Sequence, residues 1–206
     1  MRPYEGELRP ALIKMTKTFE YLDEIDLSSY VIDNTDMSLQ GVAYDDKDDA
    51  LWFTDSKDIF EVDKNGKMIR RVELPNMYRH PNGIAYDADS DSIWILGFKN
   101  YLINIAKDGK VKKRFRCNYR DQDQIMLIDN KIFFTVGADY NGSDNYLGEV
   151  DLTSGAVDVY CKLLDSYAVE GCCVIEDKLY IFNDGYYHSA AINENVVQVY
   201  EWAKQD

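Results

Sequence analysis

Four polar residues occupy similar positions just before strand-like runs, and their side chains are the first candidates for chemistry in this chain. They are Gln40, Asn82, Gln124 and Glu170. Three carboxamides and one carboxylate that meet in one place could coordinate a hard cation such as Ca²⁺ or hydrogen-bond a polar ligand. Polar side chains also suit a solvated turn that binds nothing. The sequence therefore predicts a candidate ligand site and leaves a purely structural alternative open.

His80 adds a titratable group beside this set. It directly precedes a Pro-Asn-Gly turn at residues 81–83. An imidazole at this place could act as an acid or a base on a ligand bound nearby. An ordinary surface histidine is the alternative. Because neither His80 nor His188 stands in the spacing of a serine hydrolase or a metalloprotease, no catalytic residue is predicted.

One turn has the start of a calcium-binding pattern. Asp87, Asp89 and Asp91 alternate there, as the first ligands of a calcium loop do. The glycine at position six and the glutamate at position twelve of such a loop are absent. The sequence therefore favours an acidic, solvated hairpin turn over a calcium loop.

A short basic run contrasts with the acidic remainder of the chain. Its alternating residues are Lys110, Lys112, Arg114 and Arg116. Side chains alternate between the two faces of a strand, so this spacing predicts a single basic face on an outer strand. Such a face could dock an acidic partner, or it could discourage pairing at an exposed sheet edge.

The elements that position these residues belong to an internal repeat of about 42 residues. The matches are Gly41 with Gly83, Tyr44 with Tyr86, and Trp52 with Trp94. Two weaker copies follow, from residues 124 and 170. Each copy contains four short runs of β-branched and aromatic residues separated by Asp, Asn and Gly turns, which predicts four strands.

Four-stranded units of this length are typical of the blades of a β-propeller. We predict an all-β, single-domain propeller with four four-stranded blades, at about residues 40–74, 82–117, 124–163 and 170–202. Residues 10–27 resemble only the back half of a unit and predict a partial N-terminal blade. The ring therefore has five positions, and either the first blade is reduced or a partner chain completes it. Gln40, Asn82, Gln124 and Glu170 would then surround one mouth of the axial channel, near His80.

The blade openings resemble those of known propellers. The runs at residues 40–44 and 80–86 are similar to openings of gluconolactonase-like and NHL-repeat propellers, and the resemblance covers residues 40–202 as repeat architecture. Gluconolactonase-like enzymes have six blades and hold a divalent metal at the channel mouth. The resemblance implies Asn82, in its Asn-Gly opening, and Glu170 as metal ligands. Gln40 stands where that family has a glutamate.

Composition excludes several classes of function. The 206 residues carry a formal charge of −14, which disfavours nucleic acids and anionic membrane surfaces as partners. No apolar run reaches the roughly 18 residues of a membrane span, and the first residues have no hydrophobic segment of a secretion signal. Four cysteines in no metal or redox spacing predict reduced packing residues. A cytoplasmic or other reducing compartment is expected, and a virion is a further option.

Three functions fit these observations. The first is a non-catalytic binding or structural module that presents loops and the channel mouth to another protein chain, or self-associates through its incomplete blade, as a subunit of a larger assembly such as a virus particle. The second is a metal-dependent, lactonase-like hydrolase. The third is a carbohydrate-binding propeller, because 16 tyrosines offer aromatic faces.

Overall fold

The computed structural model describes residues 10–28, 39–55, 57–78, 81–97, 101–117, 122–137, 145–184 and 195–203. In these ranges every regular element is a β-strand except a short 3₁₀ turn at Asn76–Tyr78. His80 and His188 lie outside the described residues. The all-β prediction is confirmed.

Seventeen strands of the described ranges form five antiparallel sheets. The hairpin sheet contains β1 (Ala11–Met15) and β2 (Tyr21–Asp26). Blade 1 contains β3 (Gln40–Asp45), β4 (Ala50–Thr54), β5 (Asp58–Asp63) and β6 (Met68–Glu73). Blade 2 contains β7 (Gly83–Asp87), β8 (Ser92–Gly97), β9 (Tyr101–Ala106) and β10 (Val111–Arg116). Blade 3 contains β11 (Gln122–Ile128), β12 (Lys131–Val136), β13 (Asn145–Asp151) and β14 (Val157–Leu163). Blade 4 contains β15 (Val169–Ile175), β16 (Lys178–Asn183) and β17 (Val196–Glu201).

The first strand of each blade is its innermost strand. β3 packs beside β7, β7 beside β11, and β11 beside β15, so the blades follow one another around a common axis. Blade 4 differs from its sequence prediction. β17 pairs directly with β16 and takes the third position. The prediction was a four-stranded blade at residues 170–202, and residues 185–194, between β16 and β17, lie outside the described ranges.

Large apolar side chains fill the space between neighbouring blades. Trp52 of blade 1 packs with Ile84 and Ile95 of blade 2, and all three are essentially buried. Trp94 occupies the equivalent place between blades 2 and 3. Each fully buried side chain of this size contributes about 1.5–3 kcal/mol. The repeat of tryptophan at 52 and 94 is therefore explained by packing.

Hydrogen bonds from these indoles explain a second repeated residue. The Trp52 indole nitrogen donates to Asp45 Oδ2 at 3.4 Å, and the Trp94 indole nitrogen donates to Asp87 Oδ2 at 3.2 Å. Each aspartate ends the inner strand of its blade and also accepts bonds from the backbone of the following turn. The Asp-Trp pair thus fixes the first hairpin of each of these blades.

Glycine follows three of the four candidate channel residues, and at two of these glycines the neighbouring inner strands approach closely. A Cβ on Gly83 would lie 2.7 Å from the Asp123 carbonyl oxygen of blade 3, and one on Gly41 would lie 3.0 Å from the Ile84 nitrogen of blade 2. The first contact is closer than real Cβ atoms come, and the second is tighter than nearly all real Cβ contacts. At Gly171 of blade 4 the nearest atoms belong to Phe182 of the same blade, at 3.4 Å.

We expect Gly83→Ala to destabilise the fold, because the new methyl group overlaps the blade 3 backbone. Overpacking of this kind costs about 1–3 kcal/mol, and urea denaturation followed by tryptophan fluorescence measures it. Gly171→Ala is the matched control, because it has the same place in its repeat but only ordinary contacts. Equal losses in the two variants would contradict the close approach of blades 2 and 3.

The hairpin sheet lies between blade 4 and blade 1 and confirms the partial blade predicted at residues 10–27. Leu12 and Ile25 pack on the blade 1 cluster that contains Phe53. The Phe19 ring meets the rings of Tyr180 and Phe182 in blade 4 at 6.0 and 6.1 Å. In the described residues the hairpin sheet has two strands, whereas each blade has three or four.

All four cysteines have free thiols. Cys172 and Cys173 are neighbours on β15, and burial raises the pKa of both thiols. Raised thiol pKa values disfavour the reactive thiolate. The prediction that the cysteines are packing residues agrees with this arrangement.

Candidate functional site

Two of the predicted channel residues connect blade 2 to blade 3. The Asn82 side-chain nitrogen donates to the Gln122 carbonyl oxygen at 3.1 Å. Gln124 Oε1 accepts the backbone N–H groups of Ile84 at 3.2 Å and of Ile125 at 2.9 Å. Both carboxamides therefore bond to the backbone where the inner strands meet, and a role as ligands stays a prediction.

Gln40 lies at the equivalent junction between blades 1 and 2. The Thr54 hydroxyl lies between the carbonyl oxygens of Gln40 and Pro81 and hydrogen-bonds to both. Pro81 directly precedes Asn82, so this threonine ties blade 1 to the opening of blade 2. The Gln40 side chain is half-buried.

Glu170 belongs to a different group, in which three carboxyls meet. It hydrogen-bonds to Asp123 of blade 3 and to Asp184, which directly follows β16 of blade 4. Burial, the bond to Asp123 and the charges of both aspartates raise the pKa of Glu170 to about 9. Burial raises the pKa of Asp123, and its bond to Glu170 opposes that rise. Glu170 therefore keeps its proton at neutral pH and joins blades 3 and 4 through a shared hydrogen bond.

Asp123 and Asp184 are not among the residues predicted from the sequence. A signal was present in each case. Asp123 adjoins the candidate Gln124, and Asp184 ends the second run of its repeat, as Asp55 does in blade 1. The metal ligands implied by the family resemblance, Asn82 and Glu170, thus bond to different partners. Their binding of Ca²⁺ or another divalent cation stays a prediction.

A second cluster of charged residues lies between blades 1 and 2, at the acidic turns. Lys107 Nζ lies 2.6 Å from Asp45 Oδ2, 2.7 Å from Asp48 Oδ2 and 2.7 Å from Asp91 Oδ1. Its side chain is 11% exposed and lies 5.0 Å from the centre of the Tyr86 ring. Burial alone lowers the pKa of Lys107, but the three carboxylates outweigh burial and raise it.

The carboxylates respond to the same lysine. Hydrogen bonds from Lys107 first, then from Lys47 and Tyr86, lower the pKa of Asp91 far below its ordinary value. In the described residues, the acidic groups close enough together to share a metal ion are Asp45, Asp48 and Glu61. The Lys107 ammonium already contacts two of them. Three carboxylates of the acidic turns are therefore already paired with Lys107 of the same chain.

The basic run lies on the outermost strand of blade 2, where the sequence places it. Lys110, Lys112, Arg114 and Arg116 are all exposed. A register shift between Val111 and Lys113 interrupts the alternation, so the prediction of one continuous basic face is wrong. Arg114 and Arg116 still share a face, because they stand two residues apart beyond the shift. Docking of an acidic partner on this strand stays a prediction.

Comparisons of the whole chain with known proteins place it by fold alone. No protein-family model matches the sequence, and no curated protein matches it. In a chain of a nidogen–laminin complex, the similarity covers 83% of this chain and 65% of that one, at 13% identity and a TM-score of 0.62. A protein of unknown function from Bacteroides caccae matches over 84% of this chain and 78% of its own, at 12% identity and a TM-score of 0.52. The Pan2 WD40 domain of Neurospora crassa matches over 80% of this chain and 46% of its own, at 12% identity and a TM-score of 0.54.

These similarities and the sheet arrangement define the class. The protein is a β-propeller with four blades and a small extra sheet. The chain spans less than two thirds of the length of the nidogen–laminin and Pan2 chains it resembles. No helix in the described ranges is long and apolar enough to span a bilayer.

Proposed function

We propose that the protein is a non-catalytic binding module whose incomplete ring position receives a β-strand from another protein chain, as part of a larger assembly. The observation that carries this proposal is the hairpin sheet, which has only two strands and exposes large apolar side chains. Ile13, Tyr21 and Leu22 are 59%, 56% and 52% exposed. In the described residues neither β1 nor β2 has a second strand beside it. An open edge of this kind is a template for strand pairing.

The neighbouring blade supports an opening at the same place. Val42 and Tyr44 of β3 are 50% and 57% exposed, although β3 is an inner strand. The packing that joins successive inner strands runs from β3 to β15, and no comparable packing joins β15 back to β3 in the described residues. Gly41 and Gly83 each approach the inner strand of the next blade. Gly171 of β15, the last inner strand, has its nearest contacts within its own blade.

The charge of the hairpin sheet indicates the chemistry of the partner. Between residues 11 and 26 it carries four acidic residues and two lysines. The whole chain carries −14, so a second copy would be repelled. A strand that pairs here therefore alternates apolar residues, which cover the exposed face of the hairpin, with basic residues.

A short synthetic peptide of alternating lysine and valine tests the proposal. With the full chain, we expect it to slow hydrogen exchange at the amides of β1 and β2, because strand pairing protects edge N–H groups. A peptide of alternating glutamate and valine is the matched probe and is expected to leave exchange unchanged.

Variants separate strand pairing from general charge attraction. Tyr21→Lys places an edge lysine on β2 and is expected to abolish the protection. Val159→Lys makes the same change at a 41% exposed residue of β14 and is expected to keep it. Unchanged exchange with the lysine peptide, equal effects of the two peptides, or a dimer in light scattering without peptide would each overturn the proposal.

A further inference from the structure

A small cleft lies between blades 3 and 4. Its volume is about 150 Å³. It is lined by Ile128, Asp129, Lys131, Phe133, Tyr160, Trp202 and Ala203. Sites for drug-sized ligands are about 300–1,000 Å³. This cleft therefore fits a single ring or a group of that size.

Three aromatic rings give the cleft an ordered apolar wall. Phe133 meets the rings of Tyr160 and Trp202 edge to face, each at 5.1 Å between centres. Tyr160 and Trp202 stack at 5.3 Å with an angle of 29°. Because these two rings are already stacked, a ligand ring cannot enter between them. It must lie against an outer face or edge of the group.

The polar groups at the cleft include both donors and acceptors. Asp129 supplies a carboxylate, and Lys131 supplies an ammonium that also pairs with Glu149 at 3.3 Å. In the described residues, no hydrogen bond engages the Tyr160 hydroxyl or the Trp202 indole N–H, and both groups remain able to bind a ligand.

The charges at the cleft have both signs. Asp129 and Glu149 repel an anion, and the Lys131 ammonium opposes a cation that approaches it. Aromatic walls favour a ligand with an apolar C–H face, and the mixed polar groups favour several hydroxyls. A neutral sugar ring has both features in a unit of suitable size.

We infer that this cleft binds one neutral pyranose unit of a carbohydrate. The C–H face of the sugar packs on an outer face or edge of the stacked pair formed by Tyr160 and Trp202, and its hydroxyls bond to Asp129 and Lys131. This site and its ligand are independent of strand pairing at the hairpin sheet. A single sugar of about 12 non-hydrogen atoms is expected to bind with a millimolar dissociation constant.

Tryptophan fluorescence of the full chain gives a direct measurement. Of the three tryptophans, Trp52 and Trp94 are 0% and 3% exposed, so Trp202 is the one that a ligand can reach. We expect at least one of glucose, galactose, mannose and N-acetylglucosamine to change the emission with a saturable, millimolar curve. Glucuronate, glucosamine and tetramethylammonium are the charged probes and are expected to bind several-fold more weakly.

Variants assign the signal to the cleft. Asp129 has a left-handed backbone at φ 48°, which asparagine also tolerates. We expect Asp129→Asn to weaken sugar binding about 5-fold to 10-fold, because it removes a charged hydrogen bond. Asp49→Asn, at the same turn of blade 1 with φ 50°, is expected to have no effect. Trp202→Ala, read by saturation-transfer NMR, is expected to lose binding.

Three results would overturn the inference. They are no response to any neutral sugar, a preference for a charged probe, and equal weakening by Asp129→Asn and Asp49→Asn. Because Asp129 is exposed, its variant is expected to fold normally, and its result stands whether or not Trp202→Ala folds.

Discussion

Lys107→Met is expected to destabilise the protein by about 3 kcal/mol, because it removes one partner from a largely buried ionic group. Methionine keeps most of the apolar stem, so the loss is mainly that of the charge. Asp45 is fully buried and would be left with its Trp52 bond but without its ammonium partner. Urea denaturation at neutral pH, followed by tryptophan fluorescence, measures the difference.

Lys64→Met is the matched control for this prediction. Lys64 occupies the same repeat position in blade 1 and pairs with Asp49 at 2.9 Å, but its side chain is 71% exposed. Exposed pairs of this kind contribute little to stability. Equal losses of unfolding free energy in the two variants would show that Lys107 does not stabilise the contact between blades 1 and 2.

The pH dependence of Lys107→Met gives a second readout. In the wild-type chain burial tends to raise the pKa of Asp45, and the bond from Lys107 helps to hold it below its ordinary value. Without Lys107 that pKa rises, and the carboxyl can become neutral in mild acid. The deficit of the variant is therefore expected to shrink as pH falls below about 5.

The repeated residues explain why the fold could be predicted from the sequence. Trp52 and Trp94 stand 42 residues apart because each fills the space between two blades, and their aspartate partners recur with them. Because each of these blades needs one such tryptophan and its aspartate partner, both residues recur once in each of the two repeats. The partial blade at residues 10–27 was also predictable, because its two runs have no third and fourth run beside them.

The details that could not be predicted depend on distances across the ring. The sequence places Asn82 and Gln124 at equivalent openings, but it does not show that the backbone of the next strand comes within hydrogen-bond distance of their amides. Lys107 aligns with Lys64, and only the geometry of the two turns shows that it reaches Asp45 of the neighbouring blade. The register shift in β10 could not be predicted either, because the basic residues alternate along the sequence without interruption.

Glu170→Gln is expected to stabilise the protein at neutral and alkaline pH in metal-free buffer containing EDTA. Glutamine keeps a donor for Asp123 and Asp184, and it cannot ionise between them. The wild-type carboxyl has a folded-state pKa of about 9, whereas an unfolded glutamate titrates near its ordinary value of about 4.3. Between these two values the unfolded chain releases a proton that the folded chain keeps.

This difference fixes the sign of the pH dependence. The unfolded state binds fewer protons in that window, so the free energy of unfolding falls as pH rises from about 4.5 towards 9. For one such group the slope is at most about 1.4 kcal/mol per pH unit. Glu170→Gln removes the contribution of this group to the slope, whereas Asp123, whose pKa burial also raises, keeps its own contribution. The gap between the variant and the wild type is expected to widen with pH.

Thermal unfolding at several pH values between 5 and 9 measures this effect. Glu149→Gln is the control, because Glu149 is a half-buried glutamate that faces Lys131 and not other carboxyls, and its variant is expected to follow the wild-type slope. A wild-type slope that survives in Glu170→Gln would place the titrating group elsewhere. Glu170 would then be ionised in the folded chain, and its proton would not join blades 3 and 4.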